Sequence, residues 1–335
     1  MSLEHTAVIG AGSWGTALAN LLAKKGGETV LWSFEPEVAE TIRAEQVNRR
    51  YLDSVRLDSR LRVTTDMEEA LDGASVVLSV SPSHVVRPVM AQAARHMAPG
   101  ALVVSASKGI EIESLKTMDE VLADVLPEGV AATFLSGPSF AQEVGEEHPT
   151  AVTIASHHRE AAERAQALFQ TPYFRVYTSS DVRGVELGGS LKNVIAIAAG
   201  VVEGLGYRNN TQAALITRGL AEITRLGVAA GAETATFAGL AGMGDLILTC
   251  TGSLSRNRQV GIELGRGRPI DEILGGMVAV AEGVRTARSA RDLSHKLGIE
   301  MPIVEVVYAM LYEGLAATRA LELLMLREPR RETWG

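Results

Sequence analysis

Cysteine is almost missing from this chain: Cys250 is the single one in 335 residues. One thiol excludes an internal disulfide and any metal site built from several cysteines, and it fits a reducing compartment, so a cytoplasmic protein with no metal is expected. Positive charge is the minority sign, with 32 Lys and Arg against 40 Asp and Glu for a net charge of -8. A dominant nucleic-acid surface is therefore not expected, because phosphate backbones are bound through basic patches that show in this balance. The basic run Arg327–Arg331, broken by Glu328 and Pro329, is too short to change that. A long uninterrupted apolar run is lacking as well. Residues 187–202 fall short of the roughly 18–20 of a spanning helix and contain Lys192, and Met1–His5 carries Glu4 where a signal peptide needs a basic region before an apolar one. These absences predict a soluble protein without membrane insertion. No internal repeat or low-complexity tract is present.

What the first half does contain is alternation. Thr6-Ala7-Val8-Ile9 is a short apolar run that stops at Gly10-Ala11-Gly12-Ser13-Trp14-Gly15, and Thr16–Lys25 then reads as a helix closed by Gly26-Gly27. In a dinucleotide-binding unit the first glycine makes the turn, the second lets backbone approach a pyrophosphate, and the third lets helix and strand pack. The helix N-terminus then faces the phosphates with free N–H groups. A second strand is expected over Thr29–Trp32, ending at Ser33-Phe34-Glu35-Pro36. Glu35 reads either as an acid for a ribose hydroxyl or as a helix-start acid before Pro36, the second being favoured. Further β-like runs at Leu61–Thr64, Ser75–Val80, Ala101–Ala106, Ala132–Ser136, Ala151–Ala155 and Phe174–Tyr177 alternate with helical stretches, notably Val85–Met97, Leu115–Leu126 and Glu160–Phe169. This order predicts a mostly parallel, doubly wound sheet whose ligands sit beyond the carboxyl ends of its strands. Those ends carry Ser81-Pro82-Ser83-His84, Ser107-Lys108-Gly109 and Gly137-Pro138-Ser139. Lys108 reads equally as an anion contact or a turn lysine, and His84 as a loop or capping residue rather than a catalyst.

After Thr178-Ser179-Ser180-Asp181 the β signal stops and Gly/Ala-rich helical periodicity runs to about residue 326, which places a domain boundary near Asp181. Domains 1–181 and 182–335 are expected, with helices including Val182–Glu203, Thr211–Ala230, Arg256–Leu264, Thr286–Leu297 and Ile303–Tyr312, and a frayed charged tail from Arg327. Lys192 is the one charged residue between Glu186 and Glu203. Three and four positions to either side stand Gly188, Gly189, Ile195 and Ala196, so another body could approach the ammonium closely, a geometry that suits a ligand. The competing reading is a lysine whose head snorkels to water. Asp245 places a carboxylate in the glycine-rich bend Gly239–Asp245 or caps Leu246–Thr249. Ser255-Arg256-Asn257 suits a phosphate at a helix start, or simple capping. Cys250 reads as inert core.

Together Val8-Ile9-Gly10-Ala11-Gly12-Ser13-Trp14-Gly15-Thr16-Ala17, Ser136-Gly137-Pro138-Ser139-Phe140-Ala141, Leu187–Ala196, Gly242-Met243-Gly244-Asp245-Leu246 with Thr249-Cys250-Thr251, Ser255-Arg256-Asn257 and Val280-Ala281-Glu282-Gly283 are familiar. In order and spacing, nearly end to end, they make the chain resemble the NAD(P)-dependent glycerol-3-phosphate dehydrogenases of bacterial type. The resemblance implies an α/β fold, an N-terminal Rossmann-type sheet domain plus an all-α domain, and interconversion of sn-glycerol 3-phosphate and dihydroxyacetone phosphate with NAD or NADP. It also implies a cytoplasmic homodimer that feeds glycerophospholipid synthesis. By position it makes Lys192 the catalytic lysine and Lys108, Gly137, Ser139, Lys192, Asp245, Ser255, Arg256 and Asn257 the substrate contacts. Gly10, Gly12, Ser13, Trp14, Gly15, Tyr51, Lys108, Ala141, Arg256, Val280 and Glu282 become cofactor contacts. Phe34 departs from the pattern, because many relatives carry a basic residue at that cofactor-facing position. Two other readings stand beside this one: a β-hydroxy acid dehydrogenase, and a non-catalytic nicotinamide redox sensor.

Overall fold

The protein is described here as a computed structural model covering residues 4–277, 281–328 and 332. Eight strands form one sheet: β1 Thr6–Ile9, β2 Thr29–Trp32, β3 Arg62–Thr64, β4 Val76–Ser79, β5 Leu102–Ser105, β6 Ala131–Ser136, β7 Thr150–Ala155 and β8 Phe174–Ser179. Their spatial order is β3-β2-β1-β4-β5-β6-β7-β8, and every pairing is parallel except β6 with β7. The reversal between β1 and β4 is the switch point at which such sheets open a ligand crevice. Four-residue strands such as Thr6–Ile9 are wholly buried because both faces are covered, and near-continuous apolar runs are what a parallel sheet requires. One face carries Val8, Leu78 and Val104 and the other Ile9, Val77 and Val103, each the floor of its own apolar layer.

The strands match the sequence expectation to within a residue or two. The short helices are less legible: the starts of Pro36–Glu45 and Asp245–Thr251 are anticipated only through Glu35 and Asp245, and Met67–Leu71, Ala141–Gly145, Thr234–Phe237, Ile270–Gly275 and Ala317–Met325 are not anticipated from the sequence. Several span less than two turns, too few residues for a 3.6-residue period to stand out.

The helix Val182–Gly204 follows β8 after two residues and is the axis of the second half. It is long and apolar enough to cross a membrane, yet 94% of its apolar window is buried inside the protein. A helix apolar on all sides belongs in a core. Its glycines explain how close the neighbours come. A Cβ on Gly200 would lie 2.0 Å from the Arg258 carbonyl oxygen, and one on Gly261 2.0 Å from that of Ile197, so Val182–Gly204 and Arg256–Gly265 touch backbone to backbone. Asp181 caps the long helix through the Gly184 N–H at 2.9 Å, and its other oxygen accepts from Glu233 N–H at 3.0 Å and the Thr236 hydroxyl at 2.5 Å. The tail expectation falls partly outside the described residues; within them, Arg327 pairs with Glu300 at 3.0 Å.

Candidate active site

The glycine turn divides its labour among three residues. Gly10 has φ +125°, and a Cβ there would press on the Val80 carbonyl oxygen at 2.9 Å. On Gly15 a Cβ would stand 1.9 Å from the Gly10 carbonyl oxygen, so this glycine lets the helix close on the turn. Gly12 faces open space, with nothing within 4 Å of its Cβ position, and it precedes the helix Ser13–Lys24, which has no side-chain cap. Uncapped N–H groups beside an open backbone make an anion cradle, the shape a dinucleotide pyrophosphate needs. Ser13 and Trp14 form the first turn of that helix, and the Trp14 indole N–H is buried without a hydrogen-bond partner.

At the end of β2, Phe34 is 80% exposed. Glu35 occupies the position before the helix Pro36–Glu45, yet its side chain makes no capping bond there. It accepts instead from the Tyr51 hydroxyl at 2.5 Å and lies 3.8 Å from Arg50. The helix-start reading of Glu35 thus holds for its backbone and not for its carboxylate. Ala141 opens the helix Ala141–Gly145 beyond β6; Val280 lies outside the described residues.

The strand ends after β4, β5 and β6 converge as expected. The Ser107 hydroxyl donates to the Ser81 carbonyl at 2.6 Å, and Gly109 admits the Ser83 side chain where its own Cβ would be. Gly137, at φ +139°, packs on the Val152 backbone, with the Ser139 hydroxyl donating to its carbonyl at 3.0 Å. Lys108 reaches from this edge across to the helical half, donating to Asp245 Oδ2 at 2.7 Å.

Asp245 is the meeting point. It starts the helix Asp245–Thr251, is 1% exposed, and its other oxygen accepts from Lys192 Nζ. Lys192 also donates to the Thr249 hydroxyl at 2.8 Å, which in turn donates to the Asp245 carbonyl at 2.6 Å. Lys192 is buried at 7% exposure, so the snorkelling reading fails. Burial pulls its ammonium down to about 8; Asp245 opposes that and Lys108 adds to it. For Asp245 burial favours the protonated acid, but the two ammonium groups win and hold it below the usual carboxylate range. One carboxylate between two lysines leaves an excess of positive charge, suited to receive an anion.

The small residues beside Lys192 turn out to serve the protein's own packing. A Cβ on Gly188 would meet the Ala241 carbonyl oxygen at 2.6 Å and one on Gly189 the Ser136 hydroxyl at 2.4 Å, so neither leaves room for a ligand. The third group is mixed. Ser255 caps the helix Arg256–Gly265 through the Arg258 N–H at 3.3 Å, and Asn257 bridges Asn193 at 3.0 Å and the Gly283 N–H at 2.9 Å. Arg256 stands exposed at the helix start, and its charge acts on Glu282, whose carboxyl is raised by burial against the pull of Arg256, Lys108 and Lys192. The sequence alone assigns no role to Thr249 or Asn193. Thr249 sits four residues after Asp245 on one helical face, a spacing that offered the clue.

A doubly wound sheet that cradles a dinucleotide, with a buried lysine brought against its ligand edge, defines a nicotinamide-dependent dehydrogenase. Residues 5–162 match the N-terminal and residues 181–322 the C-terminal family description of NAD-dependent glycerol-3-phosphate dehydrogenase, and the chain belongs to that family. It is 58% identical over 331 residues to a glycerol-3-phosphate dehydrogenase [NAD(P)+] of Geobacter metallireducens, covering 98% of this chain and 99% of the relative. A protein of the same description from Citrifermentans bemidjiense is 56% identical at the same coverage. The crystal structure of glycerol-3-phosphate dehydrogenase from Coxiella burnetii superposes with a TM-score of 0.94 at 38% identity, covering 97% of this chain and 99% of that one.

Proposed function

We propose that the chain interconverts sn-glycerol 3-phosphate and dihydroxyacetone phosphate with NAD or NADP, and that Lys192 is its general acid/base. The observation that carries this is the Lys108–Asp245–Lys192 cluster, with Asp245 and Lys192 buried, where the helical half meets the strand ends. NAD(P), when bound at Gly10–Gly15, supplies the hydride acceptor or donor. Neutral Lys192 takes the proton of the C2 hydroxyl as that carbon is oxidised, and its ammonium form returns the proton in reduction. Asp245 and Thr249 aim the Nζ, and Lys108 adds a second positive charge that steadies a developing oxyanion. The exposed Arg256, beside the cap of Ser255 and the amide of Asn257, meets the substrate phosphate; Gly137 and Ser139 shape the opposite wall.

Ser13, Trp14, Tyr51, Ala141 and Glu282 complete the cofactor contacts. The functional division falls near Asp181, with residues 1–181 holding the nucleotide and 182–335 the substrate. A cytoplasmic homodimer that supplies glycerol 3-phosphate for glycerophospholipids fits the family and the single buried Cys250. The test is spectrophotometric oxidation of NADH and of NADPH with dihydroxyacetone phosphate. Turnover is expected with both; dinucleotide binding without turnover favours the redox sensor, and turnover confined to β-hydroxy acids favours that class.

A further inference from the structure

Lys108 is carried by a segment that leaves the sheet half and is anchored in the helical one. Residues 106–117 join β5 to the helix Met118–Val125. At the near end the Ser107 hydroxyl holds the segment to the Ser81 carbonyl. Two residues beyond Lys108, Ile110 is 3% exposed and belongs to the apolar core of the helical half with Leu187, Leu191 and Val194; Leu115 packs against that same core. The segment doubles back between these two plugs. Ile110 bridges Thr117, the Glu111 N–H donates to the Lys116 carbonyl at 2.9 Å, and Leu115 takes φ +59°. A left-handed backbone costs a leucine about 1–2 kcal/mol, so the surrounding packing holds it there. Arg87 fixes the outer side with paired bonds to the Glu111 carboxylate at 2.8 and 2.9 Å.

Where the segment enters its helix, Val182–Gly204 grips it. Arg183 donates to the Thr117 hydroxyl at 3.3 Å and to Glu120 at 2.9 Å, and the buried Glu186 accepts the Asp119 N–H at 2.9 Å. The Asp119 carboxylate pairs outward with His157 at 3.0 Å. Burial, with the charge of Asp119 adding to it, pushes the Glu186 carboxyl up to about 8 against the pull of Arg183, so at neutral pH it is the uncharged acid. A neutral acid in that place works as a hydrogen-bond acceptor, a role glutamine reproduces. We propose that Glu186 is a positioning residue that holds Lys108 against Asp245, with Ile110 as its apolar counterpart. The proposal rests on the acid/base reading of Lys192 above. Lys192 stands six positions after Glu186 on the gripping helix and Lys108 lies on the gripped segment, so the clamp sets how the two ammonium groups face each other across Asp245. Once it is released, Lys108 withdraws, and Lys192 loses the neighbouring charge that helps to lower its titration.

The test is the pH profile of kcat/KM for glycerol 3-phosphate oxidation by the intact protein, with Tm and nucleotide Kd measured alongside. The variants are Glu186→Ala, Glu186→Gln, Lys108→Met and the double variant Glu186→Ala/Lys108→Met. Lys108→Met should move the limb near 8 upward by about one pH unit, the low end of the effect of a charge within about 4–6 Å. Glu186→Ala should move it the same way by at least about half as much, and lower kcat about tenfold, part of the roughly 10²–10³ that one oxyanion donor contributes, with nucleotide Kd unchanged. Glu186→Gln, which keeps the acceptor, should return both to wild type. In the double variant the limb should stay where Lys108→Met alone puts it. A lowered Tm in Glu186→Ala with the limb unmoved, a Glu186→Gln that fails to rescue, or a full second shift in the double variant overturns the proposal. Should Glu186→Ala fail to fold, Arg183→Ala releases the other half of the clamp from a partly exposed position, and a limb unmoved by it overturns the proposal as well. Wild-type protein with no limb near 8 overturns the acid/base reading of Lys192 itself, and the proposal with it.

Discussion

The glycine turn and the lysine cluster accomplish recognition by opposite means. At the turn, side chains are withheld so that backbone N–H groups are offered, and all the working residues fall within Gly10–Gly15. At the cluster, side chains do the work, and its charged members come from positions 53 and 137 residues apart in the chain. The first site is local and needs space; the second is non-local and needs burial. The contrast teaches where damage should appear. A change at the turn should separate binding from folding residue by residue, whereas a change in the cluster should couple chemistry, charge and stability.

The largest effect is expected at Lys192. Replacing it with alanine should lower kcat about 10²–10⁴-fold, the range of general acid–base contributions, with nucleotide affinity by fluorescence titration near normal. Near-wild-type turnover would break the comparison at its stronger end. Asp245→Asn comes next. It leaves the buried Lys192 and the partly buried Lys108 without their shared anion, a loss of about 3–5 kcal/mol when one partner of a buried pair is removed, readable by denaturant unfolding.

The same cluster predicts a pH dependence. Neutral Lys192 is the form that accepts a proton, and burial places its titration near 8, so kcat/KM for glycerol 3-phosphate oxidation should rise as pH increases through about 8. The reductive direction, which needs the ammonium form, should fall over the same interval. Because Asp245 opposes the lowering, Asp245→Asn should move the oxidative limb to lower pH. A limb that stays in place would show that Lys192 does not titrate in catalysis.

The turn is sharpened by a pair of alanines. Gly15→Ala forces a Cβ against the Gly10 carbonyl and should cost about 1–3 kcal/mol, seen as a lowered Tm. Gly12→Ala meets no protein atom, so Tm should stay within a few degrees while dinucleotide affinity falls. Equal Tm losses would mean that Gly12 is structural too. The smallest effect is expected from Phe34→Arg, which adds a cation at an exposed position and should shift the NADPH/NADH ratio of kcat/KM upward by about tenfold, near the lower limit of a charge-assisted hydrogen bond of about 1.5–3 kcal/mol.

Read alone, the order of residues determined the alternation of strand and helix, the glycine turn, the long apolar helix with its single lysine, and the family to which these belong. All are written in short stretches, because hydrogen bonding and side-chain period act between near neighbours. Only the tertiary structure decided which charges share a carboxylate, since Lys108, Lys192 and Asp245 meet through packing of the sheet edge on the helices and not through spacing. It likewise turned Gly188 and Gly189 from an imagined ligand approach into seats for Ala241 and Ser136, and took the Glu35 carboxylate from a helix cap to Tyr51. A side chain's residue type announces what bonds it can make. Which bond it makes depends on what the fold brings within about 3 Å of it, and that partner is set by chain segments too distant for any local pattern to encode.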